Sequence, residues 1–173
     1  YISGTCALIS FVDVNILVFR KSKINILDYT AIVFSSRNTI DHFFELCKDL
    51  RVIIPESMKY FCSTEAVAFY LQKYIQYRKR KIFFAKDSSA ESLHELLLKN
   101  RDLKFLIPSG QDGISAQLDQ FFVDSNIVHA QAVVFTTAPA DLAKDIDIKK
   151  YDLIVFFSPN GIKSLQANFP DFQ

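Results

Sequence analysis

The segment YTAIVFSSRNTIDHF at residues 29–43 returns 122 positions later as YDLIVFFSPNGIKSL at residues 151–165. In register, the two copies share Tyr, Ile, Val, Phe, Ser, Asn and Ile. Each copy has the pattern of a short apolar strand, a small polar turn and an amphipathic helix. A chance similarity between two such units is the alternative, but packing alone does not select the shared Ser and Asn. We therefore predict one βα unit used twice, with the same loop after each strand.

Strand and helix patterns alternate along the rest of the chain as well. Strands are predicted at residues 28–34, 58–62, 82–85, 104–107, 132–135 and 153–157, and helical patterns follow nearly all of them. Ser88 and Glu91 are predicted to form a capping box at the start of one helix. Pro108–Gly110 is predicted to end a strand. This alternation predicts an α/β fold with mostly parallel sheets flanked by helices.

The loops of the repeated unit have the chemistry of an anion-binding site. Both loops are polar and connect the end of a predicted strand to the start of a predicted helix. They are Ser35–Asn38 and Ser158–Gly161. There the unpaired N–H groups of the first helical turn point outward. Ordinary N-capping by Ser or Asn is the alternative for either loop alone. Two such loops facing one cleft favour the binding of an anionic ligand.

The composition argues against several classes of function. The 20 basic and 19 acidic residues leave a net charge of +1, which gives no electrostatic reason to expect a nucleic-acid partner. With four glycines in all, the chain has no G-x-G-x-x-G segment and no P-loop, so no nucleotide cofactor is predicted. No histidine has a Cys or His partner at metal-ligand spacing, so no metal site is predicted. No apolar run approaches the roughly 20 residues that span a bilayer.

The cysteines and two of the histidines are predicted to have structural roles. Cys6, Cys47 and Cys62 are odd in number and widely spaced among apolar neighbours, a pattern typical of free thiols in a reducing compartment. His42 and His94 lie among charged residues on helical patterns, so they are predicted to be surface residues.

Four segments of the chain resemble uroporphyrinogen-III synthases. Residues 29–40 resemble the family's D-x-I-x-F-T-S-x-x-A-V segment, and residues 151–162 resemble its D-x-I-x-F-x-S-P-S-G-V segment. Between them, Lys104–Gly110 resembles the family's strand with a Pro/Gly turn, and Val134–Thr137 resembles its V-Y-x-T segment. The segments occur in the family's order and cover most of the chain.

The resemblance implies a fold of two similar flavodoxin-like α/β domains joined by a two-stranded linker. Residues 18–135 would form one complete domain. Residues 1–17 and 136–173 would form parts of a second, discontinuous domain that is incomplete at both ends. The segments near 17–19 and 135–137 would act as a hinge between them.

The resemblance also implies a function. The family's hydro-lyase reaction closes hydroxymethylbilane to uroporphyrinogen III in heme biosynthesis, with loss of water, inversion of the last pyrrole ring and no metal or organic cofactor. The enzyme is expected to be a cytoplasmic monomer that holds the substrate's carboxylates. The residues implied in substrate binding are Ser35, Ser36, Arg37, Asn38, Ser63, Thr64, Ser109, Gly110, Phe135, Ser158, Pro159, Asn160 and Gly161.

The chain departs from the family pattern at three positions. Thr64 and Val67 stand where the family usually has Gly and Thr, and Phe135 stands where it usually has Tyr, the family's candidate proton donor. No catalytic residue is therefore assigned. A catalytically impaired homologue that only binds an anionic small molecule stays open as the alternative. A flavodoxin-like regulatory domain is disfavoured, because no acidic cluster follows the first strand.

Overall fold

The structure, a computed structural model, describes residues 12–15, 24–76, 78–139, 147–156 and 159–171. Its strands are β1 (Val12–Asn15), β2 (Ala31–Phe34), β3 (Lys59–Cys62), β4 (Ile82–Phe84), β5 (Phe105–Gly110) and β6 (His129–Pro139). Its helices are α1 (Arg37–Asp49), α2 (Glu65–Tyr70), α3 (Ala90–Leu98), α4 (Ala116–Asp124) and α5 (Pro159–Asn168). Short 3₁₀ turns occupy Ile26–Asp28, Leu71–Lys73 and Ile148–Lys150.

Contacts between residues divide the chain into two compact units. The larger unit is Ile16–Phe135, and the smaller unit combines Tyr1–Asn15 with Thr136–Gln173. The division into domains at residues 18 and 135, with a hinge between them, stays a prediction.

The larger unit is built on a parallel sheet of five strands in the order β6-β5-β2-β3-β4. All four residues of β2 are buried, as expected for a central strand covered by helices on both faces. Counted from β2, the order is 3-2-1-4-5, whereas flavodoxin-like sheets have the order 2-1-3-4-5. The flavodoxin-like expectation is therefore wrong in strand order, because β3 and β4 are both added on one side of β2 before the chain crosses to β5.

Alternating residues of each strand face two separate cores. Ile32 and Phe34 of β2 lie in the core that is covered by α1, α2 and the 3₁₀ turn after α2. Phe43 of α1 and Leu71 of that turn are buried in this core. Ala31 and Val33 face the other core, where α3 and α4 cover the sheet. The predicted arrangement of helices flanking a parallel sheet is confirmed.

Two predicted boundaries in this unit are wrong. Ser88 has a positive φ of 57° and does not cap α3; the cap is Ser89, whose hydroxyl accepts a hydrogen bond from the Ser92 N–H at 3.1 Å. Pro108–Gly110 does not end the strand but belongs to β5. Proline is tolerated there because β5 pairs with β2 only up to Leu106, so the missing N–H of Pro108 faces no partner on that side.

The smaller unit pairs β1 with the second half of β6. Val12–Asn15 runs antiparallel to Thr136–Pro139, and α5 packs on β1. The predicted strand at residues 153–157 is wrong for residues 153–156, to which the structure assigns no strand. Leu153 is 74% exposed, unlike the residues of the buried strand β2.

The internal repeat is visible in the backbone and is longer than the sequence match. Helices α1 and α5 begin at Arg37 and Pro159, which are 122 positions apart. The 3₁₀ turns Ile26–Asp28 and Ile148–Lys150 have the same separation and bury the equivalent isoleucines. The side chains of Asn25 and Asp147 cap these two turns in the same way, so the repeated unit begins four residues before Tyr29 and Tyr151.

Candidate functional site

Four loops of the larger unit leave the same edge of the sheet, since β2, β3, β4 and β5 are parallel. Strands β3 and β4 are added on one side of β2, and β5 and β6 are added on the other side. Ligands of such sheets bind outside the carboxyl ends of the strands, at the point where the order of addition switches. Two predicted site segments meet at this edge. The Ser63 hydroxyl donates to the Ser35 carbonyl at 3.0 Å, and the Ser63 N–H donates to the Phe34 carbonyl at 3.0 Å.

The loop at residues 35–38 combines a helix cap with open N–H groups. The Ser36 hydroxyl accepts from the Thr39 N–H at 3.2 Å, and the Ser36 N–H donates to the Thr39 hydroxyl at 3.3 Å. Capping by Ser36 is therefore confirmed. This cap does not engage the N–H groups of Arg37 and Asn38, which also have no carbonyl partner within the helix. Both of these residues are exposed, so an anion can reach this helical turn.

The two helices of the repeat lack acidic residues where the other helices have them. The first turns of α2, α3 and α4 carry Glu65, Glu91 and Asp119, which complement the positive end of each helix dipole. The first turns of α1 and α5 carry no acidic residue. This difference can be read from the sequence once the helix starts are known, and neither helix dipole is complemented by an acidic residue in its own first turn.

Thr64 has a structural role at its position. Its hydroxyl accepts from the Val67 N–H at 3.2 Å and caps α2, so the Thr in place of the family's Gly starts a helix. Thr64 is half-buried, and its hydroxyl is engaged.

Sequence reasoning missed a cluster that holds Arg37. The Arg37 guanidinium lies 5.5 Å from the centre of the Tyr70 ring, in cation–π geometry. The Tyr70 hydroxyl donates to Asp41 at 2.7 Å, Lys73 pairs with Asp41 at 3.0 Å, and Tyr74 also donates to this carboxylate. The signal in the sequence was the spacing of Tyr70, Lys73 and Tyr74, which are three and four residues apart.

Protonation of Asp41 is expected to weaken the fold. Burial raises the pKa of Asp41, but the hydrogen bonds from Tyr74, Tyr70 and Lys73 outweigh burial and hold this pKa below its ordinary value of 3.8. A pKa lowered by folding stabilises the fold above the unfolded value and loses this effect as the pH falls. Asp41→Asn should therefore lower the free energy of unfolding by about 1 kcal/mol at pH 7.

The difference between Asp41→Asn and the unsubstituted chain should shrink below about pH 4, in urea titrations across the acid range. The matched control is Asp102→Asn at an exposed carboxylate, for which we expect less than about 0.5 kcal/mol at any pH. A constant difference down to pH 2 would contradict the assignment.

The second group of predicted site residues lies at the end of β5 and in the middle of β6. Ser109 is buried, and its hydroxyl accepts from the Gln131 amide at 3.1 Å. A Cβ on Gly110 would meet the Phe135 ring at 3.0 Å, so glycine permits this close approach. On its other side, the half-buried Phe135 ring packs against the His42 ring, with 4.7 Å between their centres.

Two histidines predicted to be surface residues are only partly exposed. His42 is half-buried, and its side chain is 18% exposed. His94 is also half-buried and stacks on Phe121 with 3.9 Å between ring centres. The charged neighbours in the sequence did not indicate this partial burial, because both imidazoles turn toward an aromatic ring.

Part of the repeated loop lies outside the described residues. This is the case for Ser158, whose predicted role stays a prediction. Pro159, Asn160 and Gly161 open α5, and a Cβ on Gly161 would lie 3.2 Å from the Phe156 ring. The expectation that this loop faces residues 35–38 across a cleft stays a prediction.

The cysteine thiols of the larger unit are not reactive groups. Cys47 and Cys62 are free and buried, and burial raises the pKa of each thiol to about 12. Cys6 lies outside the described residues. Within the described ranges, no cluster of three or more His, Cys, Asp or Glu side chains could hold a metal ion. In the same part of the chain, no helix has the length and apolar character that a membrane span requires.

Comparisons with known proteins give a family and a fold. The family model described as uroporphyrinogen-III synthase HemD matches residues 5–173. No curated protein matches the chain at a significant level. The crystal structure of uroporphyrinogen-III synthetase from Helicobacter pylori 26695 is similar, with 17% identity and a TM-score of 0.57 over 94% of this chain and 71% of that chain. At this identity the likeness shows the fold alone.

Proposed function

Because the chain belongs to the uroporphyrinogen-III synthase family, we propose that it closes hydroxymethylbilane to uroporphyrinogen III, with loss of water and inversion of the last pyrrole ring. The observation that carries the proposal is the match of the family model over residues 5–173. The open positive end of α1, at the switch point of the sheet, supports it with a place for substrate carboxylates.

The proposed work of the protein is mainly conformational. The substrate is a flexible, carboxylate-rich chain whose spontaneous closure gives the uninverted isomer I. Holding its carboxylates at fixed points favours the productive geometry without any strong chemical catalyst. The N–H groups of Arg37 and Asn38 suit this task, and so does the Arg37 guanidinium held over Tyr70, because charge-assisted bonds to carboxylates are short and strong.

The proposed function is tested by following isomer III against isomer I. The full-length protein is mixed with enzymatically made hydroxymethylbilane, and the oxidised products are separated. We expect isomer III to dominate with protein present and isomer I to dominate without it. A product mixture that the protein does not change would indicate the alternative, a homologue that only binds an anionic small molecule.

Phe135→Tyr tests the position where the family usually has a phenol. We expect this substitution to raise kcat without changing which isomer forms, because a hydroxyl next to the departing group can donate a proton. The expected gain is at most about hundredfold, the low end of the range for general acids, since the pyrrole nitrogen already assists departure of the hydroxyl. Phe135→Leu is the control, which changes the ring without adding a proton donor. Equal kcat values for Phe135→Tyr and the unsubstituted protein would exclude a proton-donating role for this position.

A further inference from the structure

Departure of the substrate's hydroxyl needs a proton, and Phe135 has none to give. The side chain in contact with the Phe135 ring does carry exchangeable protons. It is His42 of α1, with 4.7 Å between the two ring centres. The sheet places β6, which carries Phe135, beside β5, and β5 beside β2, the strand that leads into α1. The imidazole therefore lies next to the position that the family usually fills with a phenol.

The contacts of His42 orient its ring and leave one nitrogen free. Nδ1 lies 3.3 Å from Oε2 of Glu45, one turn further along α1. Nε2 has no hydrogen-bond partner among the described residues. Every buried side-chain nitrogen and oxygen in this part of the chain does have a partner, so Nε2 is not buried and can contact solvent. The carboxylate beside Nδ1 orients the ring, while the other nitrogen faces outward.

A second stacked histidine shows what ring packing alone looks like. His94 lies on Phe121 at 3.9 Å, closer than His42 lies to Phe135, on the opposite face of the sheet. Among the described residues, the His94 ring has no carboxylate partner. A carboxylate is therefore not required for an imidazole to stack on a phenylalanine.

A third histidine combines both features away from Phe135. His129 stacks on Phe122 at 4.7 Å, and its Nε2 lies 3.7 Å from the Asp119 carboxylate. What distinguishes His42 is the combination of a carboxylate partner with contact to the Phe135 ring.

We propose that His42, oriented by Glu45, is the general acid that replaces the missing phenol; the proposal rests on the proposed function. The imidazolium gives its Nε2 proton to the substrate's hydroxyl, the bond between the methylene carbon and that oxygen breaks, and water leaves. The methylene carbon then bonds to the substituted α-carbon of the last pyrrole and gives a spiro intermediate. The bond from this α-carbon to its original methylene bridge breaks, and the bridge carbon bonds to the unsubstituted α-carbon of the same pyrrole, which inverts the ring. The proton lost from that pyrrole when it regains its aromatic form returns the imidazole to its charged form, so the cycle consumes no proton and releases one water.

The test compares His42→Gln with the matched control His94→Gln in the full-length protein. We expect His42→Gln to lower kcat about hundredfold, the lower end of general acid catalysis, with KM unchanged. His94→Gln should stay within about twofold, because it removes only a stacked ring. Adding Phe135→Tyr to His42→Gln should recover at least about tenfold in kcat, since a phenol at the next position restores a proton donor.

The outcomes separate this proposal from the proposed function. An unsubstituted protein that forms no isomer III overturns both. If the unsubstituted protein forms isomer III and His42→Gln forms it at the same rate, only the role of His42 is overturned. A loss in His42→Gln that Phe135→Tyr does not restore is also a contradiction, because a purely structural role predicts no rescue. If His42→Gln does not fold, Glu45→Gln at an exposed side chain is used, with an expected severalfold loss in kcat; an unchanged kcat there overturns the proposal.

Discussion

Phe61→Ala is expected to lower the free energy of unfolding by about 3–5 kcal/mol. Phe61 of β3 is fully buried. Its ring stacks on Phe83 at 5.0 Å and meets Phe105 edge to face at 5.3 Å, so it connects side chains of three strands. Truncation removes these contacts and leaves a cavity that a close-packed core fills only in part. Because domains of this size are stable by about 5–15 kcal/mol, the loss is a large share of the total.

The measurement for Phe61→Ala is urea unfolding followed by circular dichroism, with the slope of the transition compared between variants. The matched control is Phe69→Ala on α2, where the ring is 54% exposed and the expected loss is below about 1 kcal/mol. Equal losses for the two substitutions would show that the central core does not determine stability.

Asn38→Asp is expected to stabilise the fold and weaken function at the same time. A negative charge in the first turn of α1 complements the helix dipole and should add about 0.3–1 kcal/mol to the free energy of unfolding. The same negative charge lies at the positive end of α1, where we propose that the substrate's carboxylates bind, and it should repel them. KM should therefore rise about tenfold or more, which corresponds to about 1.4 kcal/mol of binding.

The control for Asn38→Asp is Gln117→Glu, the same change from amide to acid at the second position of α4 on the other face of the sheet. We expect a similar gain in stability and no change in KM. Measuring both quantities on each variant separates capping from binding. If Asn38→Asp gains stability while KM stays unchanged, the loop is only a helix cap.

Much of the larger unit follows from local patterns in the sequence. The amphipathic pattern after the polar loop at residues 35–38 predicts a helix, and the structure shows that it begins at Arg37 and packs on β2. The strand at residues 104–107 was predicted too short, because proline usually ends a strand. Its continuation through Pro108 depends on where β2 stops pairing, which is a property of the assembled sheet.

The candidate site was less predictable, because most of its geometry comes from residues distant in sequence. The polar loops at residues 35–38 and 63–64 were predicted from their position after strands, and the bond from Ser63 to Ser35 joins them. The contact between His42 and Phe135 joins residues 93 positions apart and leaves no local pattern. Charged neighbours instead indicated a surface position for His42.

The strand order also has a consequence for how the chain is made. Ala31 pairs with Lys59, 28 residues later, and with Phe105, 74 residues later, so closing the second loop costs about 0.9 kcal/mol more in chain entropy. On a ribosome, β3 is available to β2 well before β5 has been synthesised. Until Phe105 and Leu106 emerge, one edge of the apolar strand β2 has no partner. That interval is the stage of synthesis at which the nascent protein is most open to association with other chains.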